Sequence, residues 1–237
     1  MQLAATTLTH PAVRLEPFAE RHRGGLIAAA DANVSIFRHM PFPIAEKGYG
    51  AWFDWMREEQ EARRWMPFAV VAAFPPPFTG EVAERSEAGG GAVAPPKSQS
   101  DFGQSKNAGR GAVGGGGGKI VGQSCYLNLR SKDGGVEIGG TWYAREAQGT
   151  AINPASKLLL LDHAFACGAE RVEFKTDALN TQSRAALTKL GAHFEGIFRR
   201  QMRRPDGSMR DNAYFSVIRE EWPALRARIE ARLAGFD

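Results

Sequence analysis

The chain is short of several features that would fix its class at once. Two cysteines, Cys125 and Cys167, are too few for a disulfide framework, and no Cys-x-x-Cys or His-x-x-x-His spacing offers a metal cage. No run of about 18 apolar residues exists to span a bilayer, which argues against a membrane partner. The N-terminus "MQLAATTLTHPAVRLEPF" lacks the charged-then-apolar-then-small order of a secretory signal, so the expected location is cytoplasmic. Charge of one sign is also scarce: the formal net charge is +4, far from the balance of a nucleic-acid-binding protein. The exception is local, because five arginines crowd into "FRRQMRRPDGSMRD".

One stretch lacks the means to build a core. Gly80 to Gly118 holds twelve glycines, no Leu, Ile, Met, Trp or Tyr, and Phe102 as its only aromatic residue. Ordering backbone costs roughly 1 to 2 kcal/mol per residue, and this segment has little apolar surface to offset it, so it reads as a disordered insertion, residues 80–118. Its five consecutive glycines are not followed by the Gly-Lys-Ser/Thr end of a phosphate loop. The flanks "WMPFAVVAAF" and "KIVGQSCYLNLR" are β-rich and are expected to pair, with the insertion standing where a hairpin turn would be. The expectation is therefore one domain, 1–237, carrying a decorated hairpin.

What is present is a regular alternation. Before the insertion come a strand, "AVRLEPF", and two helical stretches; the second sets Trp52, Trp55, Met56 and Glu59 at helical spacing, an apolar stripe closed by a charge. After it, "GVEIGGTWY", "PASKLLLLDHAFACG", "RVEFKTD" and "NTQSRAALTKLG" read as strand, helix, strand, helix. Two strands joined at Pro205-Asp206-Gly207 and a charged closing helix follow. Strand-helix-strand connections imply a parallel pair and hairpins imply antiparallel ones, so the fold class is α/β with a mixed sheet.

The loop between "GVEIGGTWY" and its helix is the first candidate site. Asn153 before Pro154 predicts an N-cap followed by the first helical residue. Upstream, Gln148, Gly149, Thr150, Ala151 and Ile152 carry N–H groups without obvious helical acceptors, beside a helix start with partial positive charge: a candidate anion cradle. The next helix predicts Asn180 as its cap and Gly191 as its end, with Ser183 and Arg184 near the start and Leu187 and Leu190 facing the core. Both helix starts follow successive strands, where open α/β sheets tend to bind ligands.

The order "VEIGGTWY", "AQGTAIN", helix, "VEFKTD" and "NTQSRAALTKLGAHFEG" resembles the cofactor core of the GNAT N-acetyltransferase superfamily, and "YFSVIREEW" looks like its ribosomal-protein N-terminal acetyltransferase branch. The likeness implies a GNAT-like, mostly antiparallel sheet with a parallel pair at an acetyl-CoA site. It implies that the loop matching Gln/Arg-x-x-Gly-x-Gly/Ala at Gly149 and Ala151 binds the pyrophosphate. It also implies that Asn180 and Ser183 approach the pantetheine arm. Glu146 departs from the pattern, and Pro154 removes one amide.

By that resemblance the reaction is direct acetyl transfer from acetyl-CoA to a primary amine, on a protein N-terminus or a small molecule, with no metal. A lysine-like amine is only about 0.04% neutral at pH 7 and an α-amine about 14%, so the first needs a stronger general base. Glu137 is the candidate to accept the amine proton, through water. The family's usual tyrosine acid is absent, Leu187 occupying that region; Tyr214 or Ser183 can protonate the thiolate. The alternative reading is a non-catalytic protein of the same fold that uses the arginine hairpin, Arg199, Arg200, Arg203, Arg204 and Arg210, to hold RNA or a protein. Arg38, His39 and Glu58 suit many acceptor amines, and no pattern sets the oligomeric state.

Overall fold

The structure, a computed structural model, describes residues 1–32, 34–73 and 118–236. The proposed insertion lies, apart from Gly118, outside the described residues. The strands are β1 (Leu8–His10), β2 (Val13–Pro17), β3 (Met66–Ala72), β4 (Lys119–Arg130), β5 (Gly135–Tyr143), β6 (Arg171–Asp177), β7 (His193–Arg203) and β8 (Met209–Ile218). The α-helices are α1 (Arg23–Asp31), α2 (Ile44–Glu61), α3 (Ile152–Ala166), α4 (Thr181–Leu190) and α5 (Trp222–Leu233). Among the described residues the strands form one sheet in the order β1-β2-β3-β4-β5-β6-β8-β7. Every pairing is antiparallel except β5 with β6.

The expected hairpin across the glycine-rich segment is present as β3 against β4, with Ala72 opposite Lys119. The Pro205-Asp206-Gly207 turn joins β7 to β8, where Arg203 faces Met209. Strand alternation divides the core into two faces. Phe68, Tyr126, Val136, Ile138, Val172 and Phe174 pack with Leu160 and Leu161 of α3 and with Leu225 and Ile229 of α5. Ala69, Cys125, Leu127 and Trp142 pack with Leu26 of α1 and with Tyr49, Trp52, Phe53 and Met56 of α2. The Trp52–Met56 stripe is thus core, and Trp55 completes an aromatic group with Phe42 and Trp65 at its rim.

One buried polar side chain joins the second layer to the middle of the sheet. Gln123 of β4 is fully buried. Its Oε1 accepts from the Tyr49 hydroxyl and from Trp52 Nε1 at 3.4 Å, while its Nε2 donates to the Gly140 carbonyl at 2.9 Å. A buried amide must be satisfied in this way, because an unmade bond there costs about 1 to 3 kcal/mol.

Replacing Gln123 by Leu strands the Tyr49 hydroxyl, the Trp52 N–H and the Gly140 carbonyl together. We expect a loss of about 2 to 4 kcal/mol in denaturant unfolding, against about 1 kcal/mol for Tyr49→Phe, which removes a donor but leaves Trp52 on the same oxygen.

Candidate active site

The parallel ladder between β5 and β6 is short. Gly135, Val136 and Glu137 pair with Arg171, Val172 and Glu173, and the pairing ends there although β5 continues to Tyr143 and β6 to Asp177. The two strands diverge into a wedge. On its other edge β5 carries an extra residue: Gln123 faces Trp142 and Cys125 faces Gly139, so three steps of β5 oppose two of β4. Gly140 sits in this bulge at φ +57°, a conformation that glycine adopts without strain. The bulge turns Thr141 to the α3 face, where its Oγ1 lies 2.7 Å from Ser124 Oγ.

At the end of β5 lies the predicted cradle. Gly149 has φ +77° and open space where a Cβ would stand. No hydrogen bond engages the N–H groups of Gly149, Thr150 or Ala151 among the described residues. The expectation of five open amides is corrected at two positions. Gln148 N–H donates to the Arg145 carbonyl at 3.2 Å, and Ile152 N–H to Thr150 Oγ1 at 3.3 Å. The Gln148 side chain is also used internally, its Nε2 donating to the Tyr143 carbonyl at 3.0 Å.

The helix start is corrected as well. α3 begins at Ile152 behind Ala151, and Asn153 lies inside the first turn instead of capping it. Thr150 performs part of the cap's work by accepting from Ile152. Asn153 Oδ1 is buried without a partner, next to the cradle. Pro154 falls in the first turn, where a backbone N–H has no intrahelical acceptor in any case. Glu146 turns to Lys119, whose Nζ lies 2.7 Å from Oε1 and holds the carboxyl below its ordinary range. The acid in the loop is therefore neutralised before any anion arrives.

α4 starts as expected. Asn180 Oδ1 accepts from Ser183 N–H at 3.0 Å, Leu187 and Leu190 are buried, and Gly191 ends the helix. Glu137 sits where the parallel ladder stops, only 3% exposed. Its Oε2 accepts from Asn128 Nδ2 at 2.6 Å and from Lys175 Nζ at 3.4 Å. Both partners escaped the sequence reading. Alternation in "RVEFKTD" puts Lys175 on one face with Glu173, but pairing across strands 38 residues apart leaves no mark in a single sequence. Tyr214 faces Lys175 across β6 and β8. Burial, and then the charges of Glu137 and Glu173, push its phenol up, so it stays protonated near neutrality.

The arginine hairpin splits in two. Arg204 donates to both oxygens of Asp177, at 2.9 and 3.0 Å. Arg210 is buried beside the same carboxylate and donates to the His39 carbonyl at 3.1 Å. Burial alone would raise the Asp177 carboxyl; Arg204 and the Leu179 N–H outweigh it and hold the group low. Arg199, Arg200 and Arg203 remain exposed. Two of the five arginines thus tie the hairpin to β6 and to the segment before α2.

The acetyltransferase (GNAT) domain family matches residues 12–193. Among solved structures, a GCN5-related N-acetyltransferase from Brucella melitensis is 24% identical with a TM-score of 0.71, over 97% of this chain and 86% of that one. Mycobacterium smegmatis RimJ in complex with CoA-disulfide is 22% identical with a TM-score of 0.66, over 98% and 94%. RimL, a ribosomal L7/L12 alpha-N-protein acetyltransferase, is 12% identical with a TM-score of 0.63, over 90% and 94%. At these identities the likeness is one of fold. Comparison with curated proteins finds no match. Among the described residues no cluster of His, Cys, Asp or Glu could hold a metal ion, and no helix is long and apolar enough to cross a membrane.

The cap that positions α4 is testable by itself. Asn180→Ala removes the acceptor for Ser183 N–H and should lower stability by about 1 kcal/mol, read from the shift of the denaturant midpoint at unchanged slope.

Proposed function

We propose that this chain, which belongs to the GNAT acetyltransferase family, moves the acetyl group of acetyl-CoA directly to a primary amine, and that the amine is the α-amino group of a peptide or protein N-terminus. The observation that carries the reading is the set of unbonded N–H groups at Gly149, Thr150 and Ala151 beside the start of α3. Such groups suit a diphosphate, since the helix end adds partial positive charge and no side chain crowds Gly149. Asn153 stands at the same turn with an unsatisfied carbonyl oxygen, which a donor group on the ligand can engage. Asn180 and Ser183 open α4 beyond the far wall of the wedge and are assigned to the arm of the same ligand.

The acyl donor supplies an activated thioester; the chain supplies position and proton transfer. Glu137 is assigned the role of taking a proton from the attacking nitrogen through an intervening water, a reading supported by its contacts with Asn128 and Lys175, which fix its orientation. Its environment favours an acceptor that needs modest help. Any carboxylate is a weak base for an ammonium of pKa about 10.4, whereas an α-amine near 7.8 is about 14% neutral at pH 7 without assistance. The acceptor approaches from the α1 and α2 side, where Lys175, Tyr214, Asn212 and Arg210 give the sheet a polar face. RNA binding by the hairpin is disfavoured, because Arg204 and Arg210 are occupied by Asp177.

Calorimetry and turnover test this reading separately. Gly149→Val forces a β-branched residue to φ near +77° and should weaken acetyl-CoA binding about tenfold or more, equivalent to the 1 to 3 kcal/mol of strain in that region; unchanged affinity removes the cradle from the account. Glu137→Gln should keep acetyl-CoA affinity and lower CoA release with peptides bearing a free α-amine by about 10²-fold to 10³-fold. Peptides with a blocked N-terminus and a lysine side chain should be poor acceptors.

A further inference from the structure

Lys157 takes no part in the cradle or in the Glu137 network. It lies in the second turn of α3, 8% exposed, inside the apolar run "ASKLLLL". Its Nζ donates to Thr141 Oγ1 at 3.2 Å and lies 5.5 Å from the centre of the Phe174 ring. Thr141 belongs to β5 and Phe174 to β6, and both stand beyond the last paired residues, Glu137 and Glu173. The amine therefore bridges the two walls of the wedge, between the cradle at one end of β5 and Glu137 near the other.

A lysine is almost never buried without a partner, since its charge is expensive to desolvate. Here the partners are a hydroxyl and a ring, and no carboxylate pairs with it among the described residues. Burial alone pushes its amine down to about 7. The titratable groups on the surrounding elements are Lys119, Cys125, Tyr126 and Arg130 of β4, Glu137 and Tyr143 of β5, Arg171, Glu173, Lys175 and Asp177 of β6, and Asp162 and His163 of α3 itself; none contributes to that lowering. Glu137, Lys175 and Asp177 are engaged with other partners, and Tyr126 donates to the Leu160 carbonyl.

We propose that Lys157 is a catalytic residue of the acetyl transfer, its ammonium giving the proton that the departing CoA sulfur takes up. This rests on the acyl-donor reading above. The bond between the acceptor nitrogen and the acetyl carbon forms while the carbon–sulfur bond breaks. The electron pair of that bond stays on sulfur and takes the proton from Nζ, which is left as a neutral amine. The acceptor's own proton goes to Glu137 through water, and solvent returns a proton to Lys157 after release. The transfer runs downhill, from an amine near 7 to a thiol near 8.5. It also explains how a chain with Leu187 in place of a tyrosine on α4 completes the reaction.

The test needs no acceptor. CoA bound to the full-length protein is titrated by its thiolate ultraviolet absorbance from about pH 6 to 10, with affinities for CoA and desulfo-CoA measured by calorimetry. Below about pH 7, where Nζ keeps its proton, an ammonium beside the sulfur should shift thiolate formation to lower pH, raising the thiolate fraction of bound CoA several-fold over that of free CoA, whose thiol titrates near 8.5. Lys157→Met, which keeps an unbranched chain in an apolar site, should lose that shift yet bind desulfo-CoA as well as the parent does. Lys157→Arg should retain it. A bound thiol that titrates like free CoA in the parent protein overturns the proposal even if no variant folds. So does acetylation of Nζ found by mass spectrometry after incubation with acetyl-CoA, which would make the amine a nucleophile. Failure of the parent to bind desulfo-CoA at all would instead remove the acyl-donor reading, and this proposal with it.

Discussion

The architecture depends on a ladder that stops early. β5 and β6 share three residue pairs and then separate, although each strand continues. An ordinary parallel pair would zip further, because every unpaired N–H and C=O in an interior must find another partner. The bulge prevents it. Three residues of β5 span the distance of two on β4, which bends β5 away from β6 at Gly140. Gln123 makes the bend permanent by holding the Gly140 carbonyl and anchoring itself to Tyr49 and Trp52 of α2. The packing of the second layer and the opening of the site are thus one mechanical arrangement.

The wedge separates two electrostatic regimes. On the α1 and α2 face, beyond the apolar contacts, β5, β6 and β8 carry Glu137, Lys175, Asp177, Tyr214 and Asn212; Glu137 is bonded to Asn128 and Lys175, Asp177 to Arg204, and Asn212 to Arg210. On the α3 face Lys157 stands against the apolar core with a hydroxyl group and a ring as its neighbours, and among the described residues no carboxylate pairs with it. A group placed between the strands would meet a hydrogen-bonded carboxylate on one side and an amine with a weakly held proton on the other. At the mouth, the Lys119–Glu146 pair cancels the only carboxylate in the loop, so no uncompensated negative charge in the loop opposes the field of the amides at the helix start.

Much of this was legible in the chain because it is local. Period-two and period-3.6 patterns located the strands and helices, and Asn180, Gly191 and Pro205-Asp206-Gly207 marked boundaries through backbone chemistry that acts within a few residues. Asn153-Pro154 misled for an instructive reason. The pair is compatible with a cap, but Thr150 satisfied Ile152 first, and the helix begins at Ile152 instead of Pro154, since proline is harmless anywhere in the first turn. What stayed hidden is what folding creates between distant residues. Gln123 looks like one polar residue in a strand, Lys157 like a break in a leucine run, and Arg204 and Arg210 like two more members of a basic patch. Their roles depend on Gly140, Thr141 and Asp177 arriving beside them.

An unfinished ladder also bears on how occupancy and stability are linked. The edges of β5 and β6 beyond Glu137 and Glu173 face each other without pairing, so their polar groups rely on solvent or on whatever enters the wedge. Water there would satisfy them but would also stand against Ile138 and Phe174, nearly fully buried side chains at the base of the wedge. A ligand that supplies both hydrogen bonds and apolar surface relieves the two problems at once, and its binding energy adds to the folding energy of the sheet. The same reasoning explains why the rest of the molecule is so firmly tied around this point, by Gln123 on one layer and by the leucines of α3 on the other. A fold can hold one strand pair open only if the neighbouring contacts are strong enough to keep it from closing or coming apart.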